Sequence, residues 1–182
     1  MKPSFQSQKG FTIVEALISV LMLALVIGAV SGLVQRSLAT NQFSKEQVIA
    51  NYLAGEAIEY VRNIRDSNYV AGRAWFTGLS HCMGTTCRVD TVNNSITPCS
   101  ETGGSDRCKL RFVDDTSTGY YSYNSSGTTD SNYIRTVELR PSGDAGGTVS
   151  EVAIVVTISG ERGVFSQIPL VVVEHLNNWG GN

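Results

Sequence analysis

Residues 11–34 read FTIVEALISVLMLALVIGAVSGLV, and this stretch decides how the rest of the chain is interpreted. A helix needs about 20 mostly apolar residues to cross the hydrocarbon core of a bilayer, and this run is long enough. The one charged residue inside it is Glu15. A carboxylate within a membrane segment costs about 2.5 kcal/mol or more on insertion scales, so it usually marks a specific partner.

The segment before this run, residues 1–10 (MKPSFQSQKG), contains Lys2 and Lys9 and no acidic residue. Positive charge is retained in the cytoplasm, so the C-terminus is expected to face away from it. A secretory signal has an apolar region of about 7–15 residues followed by a small-x-small cleavage site. Here the run is longer, no clear site of that kind follows it, and Gly10 stands before it.

The residues KGFTIVEALISVLMLAL resemble the type III signal of type IV prepilins and pseudopilins, with its basic leader, glycine, phenylalanine and glutamate. The resemblance implies that a prepilin peptidase cuts after Gly10 and N-methylates the new terminal residue, Phe11. It also implies a role for Glu15 in assembly. A helix N-terminus and a charged amine both attract a carboxylate, so Glu15 is expected to neutralise the terminal amine of a neighbouring subunit. The alternative is that Glu15 only caps its own helix near the membrane surface.

Residues 35–66 predict an amphipathic continuation of the same helix. Apolar residues recur there at helical spacing: Ile49, Leu53, Ala57, Val61 and Ile64. A stop is expected at residues 66–68, with Gly72 beyond. The run NYLAGEAIEYVRNIRDSNY at residues 51–69 resembles the segment that follows the apolar helix in PilV-like minor pilins, which favours a minor subunit over a major one.

All four cysteines fall in residues 67–108, which have the composition of a loop: Cys82, Cys87, Cys99 and Cys108. The expected membrane orientation places them outside the cytoplasm, where disulfides persist. Four cysteines allow three connectivities. Pairing of nearest neighbours, Cys82–Cys87 and Cys99–Cys108, is favoured because each pair encloses a turn containing glycine. A zinc site is the alternative, but the two spacings are irregular for one. Many pilins instead bracket a C-terminal loop with one cysteine pair, a pattern from which this chain departs.

Residues 109–182 predict a sheet. Runs rich in β-branched and aromatic residues alternate with Gly, Ser and Asp clusters, and the runs are 109–113, 120–123, 133–140, 152–158 and 164–174. Short connections favour an antiparallel meander, and Pro169 indicates an edge or a bulge in the last strand. One helix followed by strands is an α+β arrangement, here a pilin-like one with the helix laid on one face of an antiparallel sheet.

The sequence offers no pattern for catalysis. It contains no G-x-S-x-G, P-loop or H-E-x-x-H motif, and His81 and His175 are far apart. Acidic residues in predicted turns do not have the spacing of an EF-hand, so solvated turns are favoured over a calcium site: Asp114, Asp115, Asp130 and Asp144.

Clustered tyrosines fit either an exposed adhesive patch or cross-strand packing: Tyr120, Tyr121, Tyr123 and Tyr133. We expect no enzyme activity, cofactor or metal. The net charge of −2 provides no basic field, so nucleic acid is not an expected partner.

The sequence therefore predicts a structural subunit, a minor type IV pilin that is incorporated into an envelope-spanning filament or initiates one. Five segments follow: a leader (1–10), a transmembrane and assembly helix (11–34), its amphipathic continuation (35–66), a disulfide-bearing loop (67–108) and a sheet head (109–182). The expected partners are prepilin peptidase, other pilin subunits in a helix bundle, and the assembly platform of the inner membrane. Before assembly the chain would span the inner membrane once with its C-terminus outside, and afterwards it would lie in a surface or periplasmic filament. The alternatives are a pseudopilin of a type II secretion or DNA-uptake system, and a membrane-anchored extracytoplasmic binding protein.

Overall fold

The computed structural model describes residues 10–100, 108–114, 118–123, 128–143 and 149–179. Two compact units divide the chain between Lys45 and Glu46. One long helix, α1 (Ile13–Val70), contributes residues to both units.

The start of α1 is set by Thr12. Its hydroxyl oxygen Oγ1 accepts a hydrogen bond from the backbone N–H of Glu15 at 3.3 Å, which satisfies one of the free donors at the helix N-terminus. The helix continues without a break through Gly28, Ser31 and Gly32. These small residues therefore do not end it, although glycine lowers helix stability by about 1 kcal/mol relative to alanine.

The C-terminal end of α1 is closed by a glycine cap. Gly72 has a φ of +65°, which favours a residue without a side chain. Its N–H bonds to the carbonyl of Tyr69 at 3.0 Å, and the N–H of Arg73 bonds to the carbonyl of Asn68 at 2.9 Å, which is the Schellman pattern. The helix thus ends at Val70, slightly beyond the stop predicted at residues 66–68.

In the described part of the chain seven strands follow α1, and all the pairings between them are antiparallel. They are β1 (Cys87–Asp90), β2 (Ser95–Pro98), β3 (Lys109–Asp114), β4 (Gly119–Ser122), β5 (Thr128–Gly143), β6 (Val149–Gly160) and β7 (Leu170–Asn177). Two short 3-10 turns, Ser80–Cys82 and Val164–Ser166, precede β1 and β7. The α+β, pilin-like architecture predicted from the sequence is confirmed.

β5 is the central strand of the sheet. β6 pairs with one of its edges, and β7 lies outside β6. β3 and β1 pair with β5 as well, β3 near Ile134 and β1 at Val137. β4 and β2 then flank β3 and β1. Because β5 is long, two different strands are accommodated along its length.

Three sequence predictions differ from this topology. Among the described strands of residues 109–182, the meander is interrupted at one step, because β3 pairs with β4 but β5 pairs with β3 and not with β4. β3 therefore lies between β4 and β5, and its residues Lys109 and Leu110 are buried there. The predicted last strand begins later, at Leu170, because the preceding Pro169 has no N–H for a ladder. The region predicted as a loop contains β1 and β2, each of which is only four residues long.

The core of residues 46–182 lies between α1 and one face of the sheet. The buried face of the helix contains three residues of the predicted apolar stripe (Leu53, Ala57 and Val61) together with Ala50, Ala54 and Ile58. The other two stripe residues, Ile49 and Ile64, are half-buried and pack against this core. Alternate residues of the central strands face it: Val137, Leu139, Val152, Ile154, Val156 and Ile158. The chain thus forms a hydrophobic core within this unit alone.

Tyr133 belongs to the same core. Its ring packs against Phe165, with ring centroids 6.4 Å apart, and against Tyr121 at 5.8 Å. Burial, together with the nearby Tyr121 and the carboxylate of Glu46, raises the pKa of the Tyr133 phenol to about 12. The residue therefore stays neutral across the physiological pH range.

The two faces of the sheet predict different responses to truncation. Ile154→Ala should lower the free energy of unfolding by about 2–5 kcal/mol, because it leaves a cavity at a fully buried site. Val173→Ala, on the opposite face where the side chain is 49% exposed, should cost about 0.5 kcal/mol or less. Urea unfolding of the full chain in detergent micelles, followed by circular dichroism, measures both. Equal losses would contradict the assignment of the core face.

Candidate functional site

The junction between Gly10 and Phe11 lies just before the first turn of α1. Both residues are exposed, and neither belongs to a helix or strand. A Cβ added at Gly10 meets nothing within 4 Å, and the residue does not adopt a positive φ. The fold itself therefore has no need of glycine at position 10. The bond predicted to be cut lies in accessible, non-helical backbone.

Glu15 lies in the first turn of α1, close to this junction. Its backbone N–H is bonded to Thr12 Oγ1, and its carbonyl accepts a 2.8 Å hydrogen bond from the hydroxyl of Ser19. The helix cap is thus provided by Thr12 and not by the Glu15 side chain. Within the part of the chain that the structure describes, the Glu15 carboxylate has no hydrogen-bond or ion-pair partner. It is available for a positively charged group from another molecule.

The apolar part of α1 is uncovered. Between Leu17 and Val34, its large apolar side chains are 50–66% exposed. By length and composition, the helix is able to cross a membrane. A bilayer or other helices must supply the apolar surroundings that this unit does not provide for itself.

The cysteines form two disulfides between nearest neighbours. The Cα atoms of Cys82 and Cys87 are 5.7 Å apart, and those of Cys99 and Cys108 are 5.6 Å apart. The first bridge joins a 3-10 turn to the start of β1, and the second joins the end of β2 to the residue before β3. His81 approaches the first bridge. Both sulfurs there are bonded to each other, so neither offers a thiolate to a metal.

A buried arginine that sequence reasoning missed holds several elements together. Arg135, only 1% exposed, projects from β5 towards α1. Its Nη1 donates to the carbonyl of Leu53 at 2.9 Å and lies 3.1 Å from Glu56 Oε2. Its Nη2 donates to the carbonyl of Val89 at 2.6 Å, and its Nε to the hydroxyl of Tyr123 at 3.3 Å. One side chain thus links α1, β1 and the residue after β4.

The electrostatics of this cluster keep Arg135 charged. Desolvation would lower the pKa of its guanidinium, but the neighbouring Tyr123 and Glu56 outweigh that and raise it. Two guanidinium groups lie near the Tyr123 ring, with Cζ of Arg88 5.5 Å and Cζ of Arg135 5.7 Å from the ring centroid. Thr91 also donates its hydroxyl hydrogen to the Glu56 carboxylate. The period of two in β5 gave the available signal, because Arg135 lies on the same strand face as three buried residues: Tyr133, Val137 and Leu139.

The remaining candidates are accounted for by packing or ion pairs. Tyr133 is buried, and Tyr121 and Tyr123 are half-buried. These three tyrosines therefore pack across strands and in the core and do not form an exposed patch. Tyr120 remains 38% exposed. Asp130 pairs with Lys109 and Arg111. Asp115 and Asp144 lie outside the described residues. His175 pairs with Glu151 on the exposed face of the sheet, with 2.5 Å between Nδ1 and Oε1.

Comparison with known proteins identifies one feature of the chain. Residues 5–31 match the family model described as the prokaryotic N-terminal methylation motif. This range contains the Gly10–Phe11 junction, Glu15 and most of the apolar run. No curated protein and no solved structure matches the chain.

The buried arginine generates a stability prediction. Arg135→Met should lower the free energy of unfolding by about 3 kcal/mol, because it leaves the Glu56 carboxylate without its cationic partner and the Val89 carbonyl without the donor from Arg135. This is the lower end of the usual range, since the Glu56 side chain keeps 35% of its surface exposed. Urea unfolding in micelles measures the loss.

Two further variants isolate the cause. The double variant Arg135→Met/Glu56→Met should recover most of the loss, because it removes both charges together. Arg111→Met, which breaks a more exposed pair with Asp130, should cost about 1 kcal/mol or less. If the double variant is as unstable as the sum of its single variants, the pair does not act as a unit.

Proposed function

We propose that this chain, which carries the type IV prepilin-like signal for N-terminal methylation, is a minor type IV pilin. It is a structural subunit that prepilin peptidase cuts after Gly10 and that then enters, or initiates, an envelope-spanning filament. The observation that carries the proposal is the uncovered apolar helix directly behind an accessible Gly–Phe junction. The methylation motif by itself supports the coarser assignment, a pilin-like or pseudopilin-like protein.

Cleavage is the step that prepares the chain for assembly. A cut at this junction creates an α-amine on Phe11, about one helical turn from Glu15. A charged amine and a free carboxylate are each costly inside an apolar bundle, but they are much less costly as a pair. Among the described residues the Glu15 carboxylate has no partner, so the carboxylate of one subunit is suited to the amine of its neighbour. Assembly then covers the apolar helix and pairs both charges in the same step.

The chain's location follows from the same features. Before assembly the apolar helix anchors the subunit in the inner membrane, with the leader in the cytoplasm and the disulfide-bonded head outside. After assembly the head lies on the surface of the filament. The partners are prepilin peptidase, other pilin subunits and the assembly platform. The run at residues 51–69, which resembles PilV-like proteins, favours a minor subunit.

A second candidate within this class is a pseudopilin of a type II secretion or DNA-uptake system, because the same signal serves those proteins. It is distinguished by the machine that incorporates the chain, either a surface pilus or a periplasmic pseudopilus. A membrane-anchored binding protein, the candidate from another class, would keep its leader or enter no filament.

Processing provides the first test. Co-expression with a prepilin peptidase should yield a mature chain that begins at Phe11 and carries one added methyl group, as read by intact-mass and N-terminal sequencing. Gly10→Leu should keep its leader, while folding normally because the fold has room for a side chain there. Gly28→Ala serves as a control that is still cut. A wild-type chain that retains Met1, or that is cut after Gly32, would refute the proposal.

Assembly provides the second test. Glu15→Gln should be cut normally but should enter filaments at least about tenfold less than wild type, a difference of about 1.4 kcal/mol per subunit. The physical reason is that an amide cannot neutralise the amine of a neighbour. Immunoblots of sheared filaments and membranes measure the ratio, with the exposed Glu59→Gln as the control. Normal incorporation of Glu15→Gln would remove the assembly role while leaving the processing role intact.

A further inference from the structure

An open groove runs beside α1 in the unit formed by residues 46–182. Its volume is about 450 Å³, and it is bounded by α1 on one side and by the β1–β2 turn and β4 on the other. Three exposed side chains form its rim, Tyr52 (77%), Val92 (52%) and Tyr120 (38%). Leu53 and Tyr121 form its more buried floor. We call this surface the tyrosine groove.

The tyrosine groove offers no unpaired charge. Glu56 is the one charged residue among those that line it. Its carboxylate is already bound by Arg135 and by the hydroxyl of Thr91. Burial raises the pKa of Tyr121, so this phenol stays neutral as well. The groove is therefore suited to an apolar occupant, because neither an acid nor a base would find a counter-charge there.

A second recess, of about 420 Å³, continues this surface along the flank of α1. Val48, Tyr52 and Gly55 line it at helical spacing and therefore lie on one face of the helix. A Cβ added at Gly55 meets nothing within 4 Å, and the residue has no positive φ. Glycine weakens a helix interior, and neither the backbone nor the packing of this chain requires it here. Close approach by another backbone is the reason that remains.

We propose that the tyrosine groove and the adjacent Gly55 flank receive an apolar α-helix from a neighbouring pilin-like subunit. This proposal rests on the proposed function and adds to it the place on the head where a neighbour docks. The occupant follows from the chain's own surface, since residues 17–34 form a helix whose apolar side chains are uncovered. Each subunit with such a signal has an apolar helix of this kind, which must pack on another apolar surface once it leaves the lipid. The side-chain ridges of a helix pack into grooves between helices, and a glycine allows the two backbones to approach closely.

Photo-crosslinking identifies the occupant directly. p-Benzoylphenylalanine placed at Tyr52 of the full chain, in cells that assemble filaments, should crosslink to the N-terminal helix of another subunit. Mass spectrometry of purified filaments should locate the adduct within residues 11–45 of a second copy, or in the corresponding segment of another pilin. Adducts on head residues, on a soluble protein or on a glycan would overturn the proposal. So would the lack of any adduct in filaments that contain the labelled chain.

Two variants test the energetic contribution. Gly55→Leu, which fills the point of close approach, and Tyr52→Asp, which places an unpaired charge on the rim, should each reduce incorporation into filaments roughly tenfold. Asn63→Leu is the matched control, because it adds the same side chain at an exposed position about 12 Å farther along α1 that lines neither recess. Urea unfolding at least as stable as that of the wild type, with Gly55→Leu expected to be slightly more stable because it removes a helix glycine, and unchanged cleavage at Gly10 confirm that the variants fold and mature.

The outcomes separate the two proposals. If the wild-type chain enters no filament, the proposed function itself is wrong. If the wild type and Asn63→Leu are incorporated and both groove variants are incorporated equally well, only the helix-docking role of the tyrosine groove is refuted.

Discussion

The cost of exposing apolar surface to water is the constraint on which the rest of this chain depends. Burying one Leu, Ile or Val side chain fully is worth about 1.5–3 kcal/mol, and residues 17–34 forgo most of that gain within a single chain. A helix can tolerate this only in lipid or among other helices, because its backbone groups are already hydrogen-bonded internally. In the first unit the helical backbone is hydrogen-bonded internally, whereas the apolar side chains remain exposed within the described part of the chain.

The second unit, residues 46–182, buries its apolar side chains in a core of its own. Its part of α1 buries a narrow face rich in alanine against β5, β6 and β7, and it leaves the opposite side uncovered. Apolar packing alone fixes the position of a smooth helix on a sheet poorly. The hydrogen bonds of Arg135 to the Leu53 carbonyl and to Glu56 are directional, so they define the position of the helix along the sheet. Because β5 is central, the same side chain also reaches β1 through Val89.

The features that sequence predicted are local ones. The methylation signal is a linear motif, and the apolar stripe of the helix repeats every three or four residues. Gly72 indicates where the helix ends. What was missed depends on residues that are distant in sequence. The pairing of β3 with β5 places Lys109 opposite Ile134, which no local pattern connects, and β1 and β2 are too short to give a clear alternation. Arg135 was overlooked because an arginine in a strand is ordinarily placed facing solvent, although its neighbours of the same parity are buried.

The glycines distinguish what the fold needs from what a partner needs. Gly72 and Gly163 have φ values of +65° and +76°, and a side chain at Gly163 would also approach the Glu46 carboxylate at 3.1 Å. The backbone of this chain demands those residues. Gly10 and Gly55 have ordinary φ values and open space around them. Gly10 lies beside the cleavage junction and Gly55 lies in a helix interior, and the fold requires glycine at neither position. Contact with another molecule is then the reason for a residue without a side chain. The two proposals assign one such position to the peptidase and the other to a neighbouring helix, so maturation and assembly would account for the two glycines that folding does not require.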